Sequence, residues 1–193
     1  MSSKGITGVF KAFFLFTVFC MVFHAPSVYA QVIYVEGIND NEPVDPSFST
    51  DPGAESTFLY VPSQSYDLKR IEWFTNSGNG NFTVTFREDV GNKPATLLRE
   101  VTFPLSGGSG FQGADFTTFY FVTAGTRYWV GFHSEQATGS HFALTGVTVE
   151  EWVDPDLDGD FDGGPFNWLR PMIKFYKPGA VADEDEDSDE GRD

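Results

Sequence analysis

The chain has 193 residues, with 28 acidic side chains against 12 lysines and arginines, so its formal net charge is −16. Hydrophobic residues make up 40% and aromatic residues 17% of the sequence, which excludes a chain that is disordered throughout. The acid excess argues against nucleic-acid binding, because neutralising phosphates needs a basic surface, and against adsorption to anionic lipids.

The first 30 residues have the pattern of an export signal. Two lysines precede an apolar run over residues 12–23, and small side chains stand at Val28 and Ala30, before a cleavage point. The run is shorter than the ~20 residues that a membrane span requires. We therefore expect cleavage after Ala30, a mature chain that starts at Gln31 without membrane insertion, and a secreted, periplasmic or cell-surface location.

The only cysteine, Cys20, lies inside this signal, so the expected mature chain has none. Disulfides, thiol nucleophiles and cysteine-based zinc sites are thereby excluded from the mature chain. An exported domain without disulfides must be held by core packing or by a bound metal. This combination favours bacterial export.

The mature body has the periodicity of β-strands. Residues 81–87 alternate strictly, with Phe82, Val84 and Phe86 on one face, which is typical of a half-buried strand. Clusters of Gly, Asn, Ser and Pro separate similar segments, and we find no capped amphipathic helix of useful length. About nine short strands predict an all-β antiparallel β-sandwich, with a jelly roll as the favoured variety and an immunoglobulin-like sandwich as the alternative. The other predicted strands are residues 32–35, 58–61, 68–75, 97–103, 116–122, 128–133, 142–149 and 172–176.

Composition also predicts the domain boundaries. Residues 31–177 form the sandwich domain, and residues 178–193 form a tail with eight acids, one arginine and no large apolar residue after Val181. Because removing the signal takes away two lysines and no acids, the mature charge is −16 − 2 = −18. Like-charge repulsion predicts a disordered, solvating tail that folding does not need, and a partner-binding role is the alternative.

Five aspartates alternate along residues 154–162. Counted from the first of them, acids stand at positions 1, 3, 5 and 9 and Gly159 at position 6, which is how a calcium loop begins. Phe161 is expected to anchor the loop, and Pro165 stands at position 12, where a bidentate acid usually closes the ligand shell. We predict weak, structural calcium binding, with a Kd on the order of 10⁻⁴–10⁻³ M; the alternative is a solvated acidic turn. The predicted ligands are the side chains of Asp154, Asp156, Asp158 and Asp162 and the backbone carbonyl of Asp160.

Two tryptophans, Trp152 and Trp168, flank this loop. Exposed rings at these positions would stack on sugar faces, which makes both candidate ligand-binding residues. Covering the end of the sandwich is the alternative role. Trp73 and Trp129 lie inside predicted strands and are expected in the core.

The sequence shows no catalytic constellation. His133 and His141 lie around residues 134–140, and a hairpin would bring them together, with Glu135 as a third metal ligand. Two partly exposed histidines are the favoured interpretation, because their spacing is not that of a helical metal motif. A glycosidase pair of carboxylates stays open, since it is defined by spatial separation. We predict that the chain is not an enzyme.

The segment from Tyr66 to Tyr176 resembles secreted bacterial β-sandwich domains of the choice-of-anchor type. The similarity rests on strand and turn patterns at residues 91–98 (GNKPATLL), 124–131 (AGTRYWVG) and 171–176 (PMIKFY). The aspartate segment is similar to calcium loops of extracellular bacterial modules. The resemblance implies an exported β-sandwich and implies no catalytic residue.

These observations favour a secreted, non-catalytic binding module that is stabilised by calcium and recognises an extracellular glycan. The hypothesis depends on the sandwich pattern, the aspartates and the neighbouring tryptophans. A structural or adhesive cell-surface protein that binds another protein is the alternative. A polysaccharide hydrolase is less favoured.

Overall fold

The computed structural model of the chain describes residues 31–37, 44–49, 53–75, 78–135, 139–143, 148–169 and 171–179. The export signal and residues 180–193 of the predicted tail lie outside these ranges, so both stay predictions. Within the described ranges no helix has the length and apolar character needed to cross a membrane.

Twelve strands account for the described fold. Their bounds, in chain order, are β1 (Val32–Gly37), β2 (Val44–Ser49), β3 (Glu55–Tyr60), β4 (Tyr66–Thr75), β5 (Asn81–Asp89), β6 (Pro94–Pro104), β7 (Gly110–Val122), β8 (Tyr128–Ser134), β9 (Gly139–Ala143), β10 (Thr148–Asp154), β11 (Gly163–Leu169) and β12 (Ile173–Pro178).

These strands form two six-stranded antiparallel sheets. Five strands of sheet 1 have the order β1-β12-β4-β9-β2. The sixth strand of sheet 1, β7, pairs with β4. Sheet 2 has the order β11-β10-β3-β8-β5-β6. The predicted all-β antiparallel sandwich is therefore confirmed, and the jelly-roll and immunoglobulin-like varieties stay predictions.

The sequence predicted about nine strands, and the additional ones have physical reasons. β2 and β11 contain Pro46 and Pro165, and β11 begins with two glycines, so both segments have the composition of loops. Both lie at the edge of their sheet, where a strand tolerates proline. Residues 142–149, predicted as one strand, instead belong partly to β9 in sheet 1 and partly to β10 in sheet 2.

The core lies between the two sheets and is mainly aromatic. Phe82, Val84 and Phe86 on β5 are fully buried, as their alternation predicted. Trp73 on β4 meets Phe132 of the opposite sheet, with ring centroids 4.4 Å apart. Burying one such large side chain contributes roughly 1.5–3 kcal/mol, so packing stabilises a chain whose single cysteine can form no internal disulfide. Other core side chains are Phe58, Leu68, Ile71, Phe116, Val122, Tyr128, Val130 and Phe175.

One carboxyl group lies on the core side of sheet 2. Glu151 on β10 stands in register with the core residue Phe58, and only 4% of its surface is exposed. Desolvation by burial raises the pKa of Glu151 to about 7, although a hydrogen bond with the Ser56 hydroxyl opposes the shift. Folding therefore favours the protonated form of Glu151 near neutral pH.

Glu151 should make the fold less stable as the pH rises. Because its pKa is higher in the folded chain than the usual 4.5, its favourable contribution is complete below about pH 4.5 and is lost as the pH rises through 7. The shift corresponds to a contribution on the order of 3 kcal/mol. Urea unfolding between about pH 5 and pH 8 measures how far the free energy of unfolding falls as the pH rises, and Glu151→Gln should reduce this fall. Glu100→Gln, an exposed control on β6, should show the same fall as the wild type. An unaltered decline in Glu151→Gln would contradict this assignment.

Candidate metal centre

The five aspartates lie at the connection between β10 and β11. Asp154 is the last residue of β10 and only 1% exposed, whereas Asp156 and Asp158 are exposed. One carboxylate oxygen from each of these three residues lies within 4.8 Å of the others. Because calcium–oxygen distances are 2.3–2.6 Å, oxygens on opposite sides of one ion lie about 5 Å apart. The three carboxylates are therefore close enough to share a single cation.

Hydrogen bonds within the loop place Asp154 at its centre. Asp154 Oδ2 accepts a hydrogen bond from Gly159 N at 2.7 Å, and its Oδ1 accepts one from Asp156 N at 3.4 Å. Asp158 Oδ1 accepts another from Asp160 N at 2.8 Å. Gly159 has a φ of 90°, a conformation that glycine adopts without strain. It permits the sharp bend of the loop.

Phe161 fixes the end of the loop to the outer face of sheet 2. Its side chain is fully buried, as expected of an anchor, and the Arg87 guanidinium lies 4.9 Å from the centroid of its ring. Arg87 also donates two hydrogen bonds to Glu55, from Nε to Oε1 at 2.9 Å and from Nη2 to Oε2 at 2.8 Å. Glu55 stands in register with Asp154, so one ion pair connects the two ends of the loop.

Neighbouring residues make room for this ion pair. Glu55 is only 2% exposed, and the Thr85 hydroxyl donates a hydrogen bond to its Oε1 at 2.5 Å. A side chain at Gly131 on β8 would collide with both Glu55 and Thr85. A buried carboxylate is tolerated when a cation and hydrogen-bond donors satisfy it, and Glu55 meets that condition.

The remaining two aspartates have different surroundings from the first three. Lys93 Nζ lies 3.1 Å from Asp160 Oδ1, so the Asp160 carboxylate is paired with a cation of the chain itself. The Asp160 carbonyl, a predicted ligand atom, accepts a hydrogen bond from Asp162 N at 2.9 Å and retains a second lone pair. The side chain of Asp162 is exposed. The carboxylates that converge are those of Asp154, Asp156 and Asp158.

The crowding of carboxylates affects the titration of Asp156. Desolvation raises the pKa of Asp156 above its ordinary value, and the negative charges of Asp158 and Asp154 raise it further. The ionised form of Asp156 is therefore less favoured than that of an isolated aspartate when no cation is bound. A divalent cation at the centre would favour the ionised form instead.

The predicted ligand-binding tryptophans lie on the strands that enter and leave the loop. Trp152 on β10 is half-buried; Lys93 Nζ lies 5.4 Å from the centroid of its ring, which packs beside Gly164. Trp168 on β11 stands in register with Val149, and its side chain lies outside the described part of the chain. The ligand-binding role of both rings stays a prediction.

The two histidines are not partners in a hairpin. His133 lies on β8 in sheet 2, in register with Thr83, whereas His141 lies on β9 in sheet 1. The expected hairpin is therefore wrong, because the chain passes from one sheet to the other between these strands. Glu135 accepts a hydrogen bond from Asn81 Nδ2 at 3.5 Å.

Sequence patterns did not reveal the side chains that hold the loop in place. Glu55 and Arg87 are 32 residues apart in the chain, and Lys93 and Asp160 are 67 residues apart. Local spacing carries no signal for either pair, since both form only once distant strands have become neighbours.

The sequence matches no protein-family model, and no curated protein matches it. The resemblance to domains of the choice-of-anchor type therefore stays a prediction. The strands and their pairing establish the fold, and the loop carries the functional inference.

Replacing Arg87 should destabilise the fold strongly. Arg87→Met leaves the buried Glu55 carboxylate without its cation, and breaking one side of a buried pair costs about 3–5 kcal/mol. Adding Glu55→Gln should recover part of the loss, because no unpaired charge is then buried. Urea unfolding measures both effects. Lys177→Met, which removes an exposed cation on β12, should change stability by less than about 0.5 kcal/mol. A wild-type midpoint for Arg87→Met would show that Glu55 does not need this partner.

Proposed function

We propose that the chain is an exported, non-catalytic binding module that is stabilised by calcium at the aspartate loop and binds an extracellular glycan. The convergence of carboxylate oxygens from Asp154, Asp156 and Asp158 within 4.8 Å carries the metal part of the proposal. The signal pattern of the first 30 residues supports export.

The donor atoms favour a hard cation. Every converging ligand atom in the described cluster is a carboxylate oxygen. Oxygen ligands suit calcium and magnesium, whereas zinc and softer metals favour nitrogen and sulfur. Calcium fits better than magnesium, because it accepts six to eight oxygens in a flexible geometry while magnesium demands a near-ideal octahedron. The Asp160 carbonyl, the Asp162 side chain and water would complete its shell.

A bound ion would act mainly on stability. Without it, Asp154, Asp156 and Asp158 repel one another, and this repulsion adds to desolvation in raising the pKa of Asp156. Asp154 ends β10 beside Glu55 of β3, so an ion at this point would tie the loop to sheet 2. Because Pro165 provides no closing acid, we expect weak binding, with a Kd on the order of 10⁻⁴–10⁻³ M.

One aromatic side chain beside the loop supports the glycan part of the proposal. Trp152 is half-buried on β10 and shares a face of that strand with Asp154 at the start of the loop. Aromatic rings give flat apolar faces against which a sugar ring can stack. The net charge of −16 favours a neutral glycan over an acidic one, because a polyanion would be repelled.

Calcium should raise the melting temperature of the chain. An ion that binds only the folded state at about 100 times its Kd adds about 2.7 kcal/mol, which corresponds to about 5–10 °C for a domain of this size. Thermal melting with calcium and with a chelator measures the shift. Asp156→Asn/Asp158→Asn should abolish it, and magnesium should substitute poorly.

The matched control for that experiment removes two exposed acids elsewhere. Asp67→Asn/Glu100→Gln changes the net charge by the same amount and should keep the full calcium shift. A wild-type melting temperature that is indifferent to calcium would leave an acidic turn and no metal site. An equal shift in the loop variant would place the ion elsewhere.

Retention on an immobilised neutral polysaccharide should require calcium and the loop tryptophans. Trp152→Ala and Trp168→Ala should each reduce retention, whereas Phe121→Ala, which removes an exposed ring on β7, should not. A pull-down from a panel of polysaccharides, with and without calcium, makes the comparison. Capture of proteins alone would favour an adhesive protein. Release of sugar products would favour a hydrolase. Either result would overturn the glycan-binding proposal.

A further inference from the structure

A cleft of about 380 Å³ opens between the sheets, where β1 and β12 face β3 and β10. This volume lies within the range of roughly 300–1,000 Å³ that is typical of small-molecule sites. Glu36 and Tyr60 are the only polar side chains among the residues that line it, and none of its lining residues belongs to the aspartate loop. The principal apolar side chains are Phe58, Val61, Val149, Pro171, Ile173 and Phe175.

Neutral donors fix the polar end of the cleft. The Tyr60 hydroxyl donates a hydrogen bond to Glu36 Oε1, and Ser63 donates two to Oε2, from Oγ at 2.5 Å and from N at 3.2 Å. The Tyr60 and Tyr66 hydroxyls lie 2.7 Å apart. Burial raises the pKa of both tyrosines, so their hydroxyls stay protonated at neutral pH. These hydrogen bonds hold the carboxylate of Glu36 in position at this end of the cleft.

The cleft has a negative charge that no cation of the described chain balances. None of the ion pairs among the described residues involves Glu36. Each carboxylate oxygen accepts about two hydrogen bonds, and Oε1 has one described donor, the Tyr60 hydroxyl. The net charge of −16 adds a long-range attraction for cations. Charge complementarity therefore favours a positively charged occupant.

We propose that this cleft binds a small primary ammonium compound with an apolar, aromatic body. The ammonium would donate to Glu36 Oε1, and the body would lie against Phe58 and Ile173. The rings of Tyr60 and Phe175, stacked with centroids 3.9 Å apart, provide a rigid aromatic wall beside the cation. None of the residues that line this site is a predicted calcium ligand, and Val149, one of them, stands in register with Trp168 on the neighbouring strand.

The test uses 2-phenylethylammonium as the probe and 2-phenylethanol as its neutral counterpart. Titration of the full mature chain, followed by amide chemical shifts, should show saturable binding of the ammonium with a Kd of about 1 mM or tighter. The neutral alcohol should bind about tenfold more weakly, because it lacks the charged hydrogen bond. Shifts should concentrate on residues that line the cleft.

Two variants examine the two ends of the site separately. Glu36→Gln keeps the shape of the side chain, removes its charge, and should weaken ammonium binding about tenfold. Val149→Phe narrows the cleft without touching Glu36 and should abolish binding of both probes. Glu100→Gln, the exposed control on β6, removes the same charge elsewhere and should bind as the wild type does. Melting of each variant checks that it is folded.

Tighter binding of the ammonium than of the alcohol, weaker ammonium binding in Glu36→Gln and loss of binding in Val149→Phe would together support the proposal. Equal affinities for the ammonium and the alcohol, or a Glu36→Gln variant that binds like Glu100→Gln, would overturn the assignment of Glu36 as the cation acceptor. Absence of saturable binding to the wild type, or binding that survives in Val149→Phe, would overturn the cleft as the site.

Discussion

The ion pair between Arg87 and Glu55 is the interaction on which the aspartate loop depends. The guanidinium donates two hydrogen bonds to the carboxylate and lies against the ring of Phe161, so one side chain contacts both the sheet and the end of the loop. A buried ion pair adds little net stability, because both charges have lost their water. The ion pair instead fixes the geometry of the loop. Asp154, in register with Glu55, begins the loop, and Phe161, against Arg87, holds its other end, so the two ends are kept at a fixed separation.

Three glutamates of this fold show that surroundings decide what a carboxyl group does. Glu55 is buried and forms an ion pair with an arginine inside the protein. Glu36 at the cleft is held by neutral hydroxyl and amide donors. Glu151 on the core side has a pKa of about 7, since burial outweighs its one hydroxyl partner. The first supports the loop, the second is the proposed acceptor for a ligand in the cleft, and the third is expected to couple stability to pH.

Sequence patterns predicted the features that depend on neighbours in the chain. The alternation of residues 81–87 gave the correct buried face of β5, and the spacing of the aspartates predicted the convergence seen for the carboxylates of Asp154, Asp156 and Asp158. Features that depend on sheet assembly were not predictable. β11 has the composition of a loop and is a strand because β10 pairs with it, and the partners of Arg87 come from β3 and the far end of the loop. The cleft arises where strands of opposite sheets face each other, which no local pattern records.

Lys93 explains why the aspartates do not all act alike. It stands in the turn between β5 and β6, where Gly91 and Asn92 have φ values of 66° and 63°, and this turn brings its ammonium to the Asp160 carboxylate. The pair is exposed and adds little stability, so its effect is on the charge of the loop. Five unpaired carboxylates would attract an ion more strongly but would also repel one another more strongly whenever the ion is absent. By pairing with Asp160, Lys93 makes the ion-free loop less unfavourable. Of the four aspartates that remain, Asp154, Asp156 and Asp158 bring their carboxylate oxygens together as a compact anionic centre.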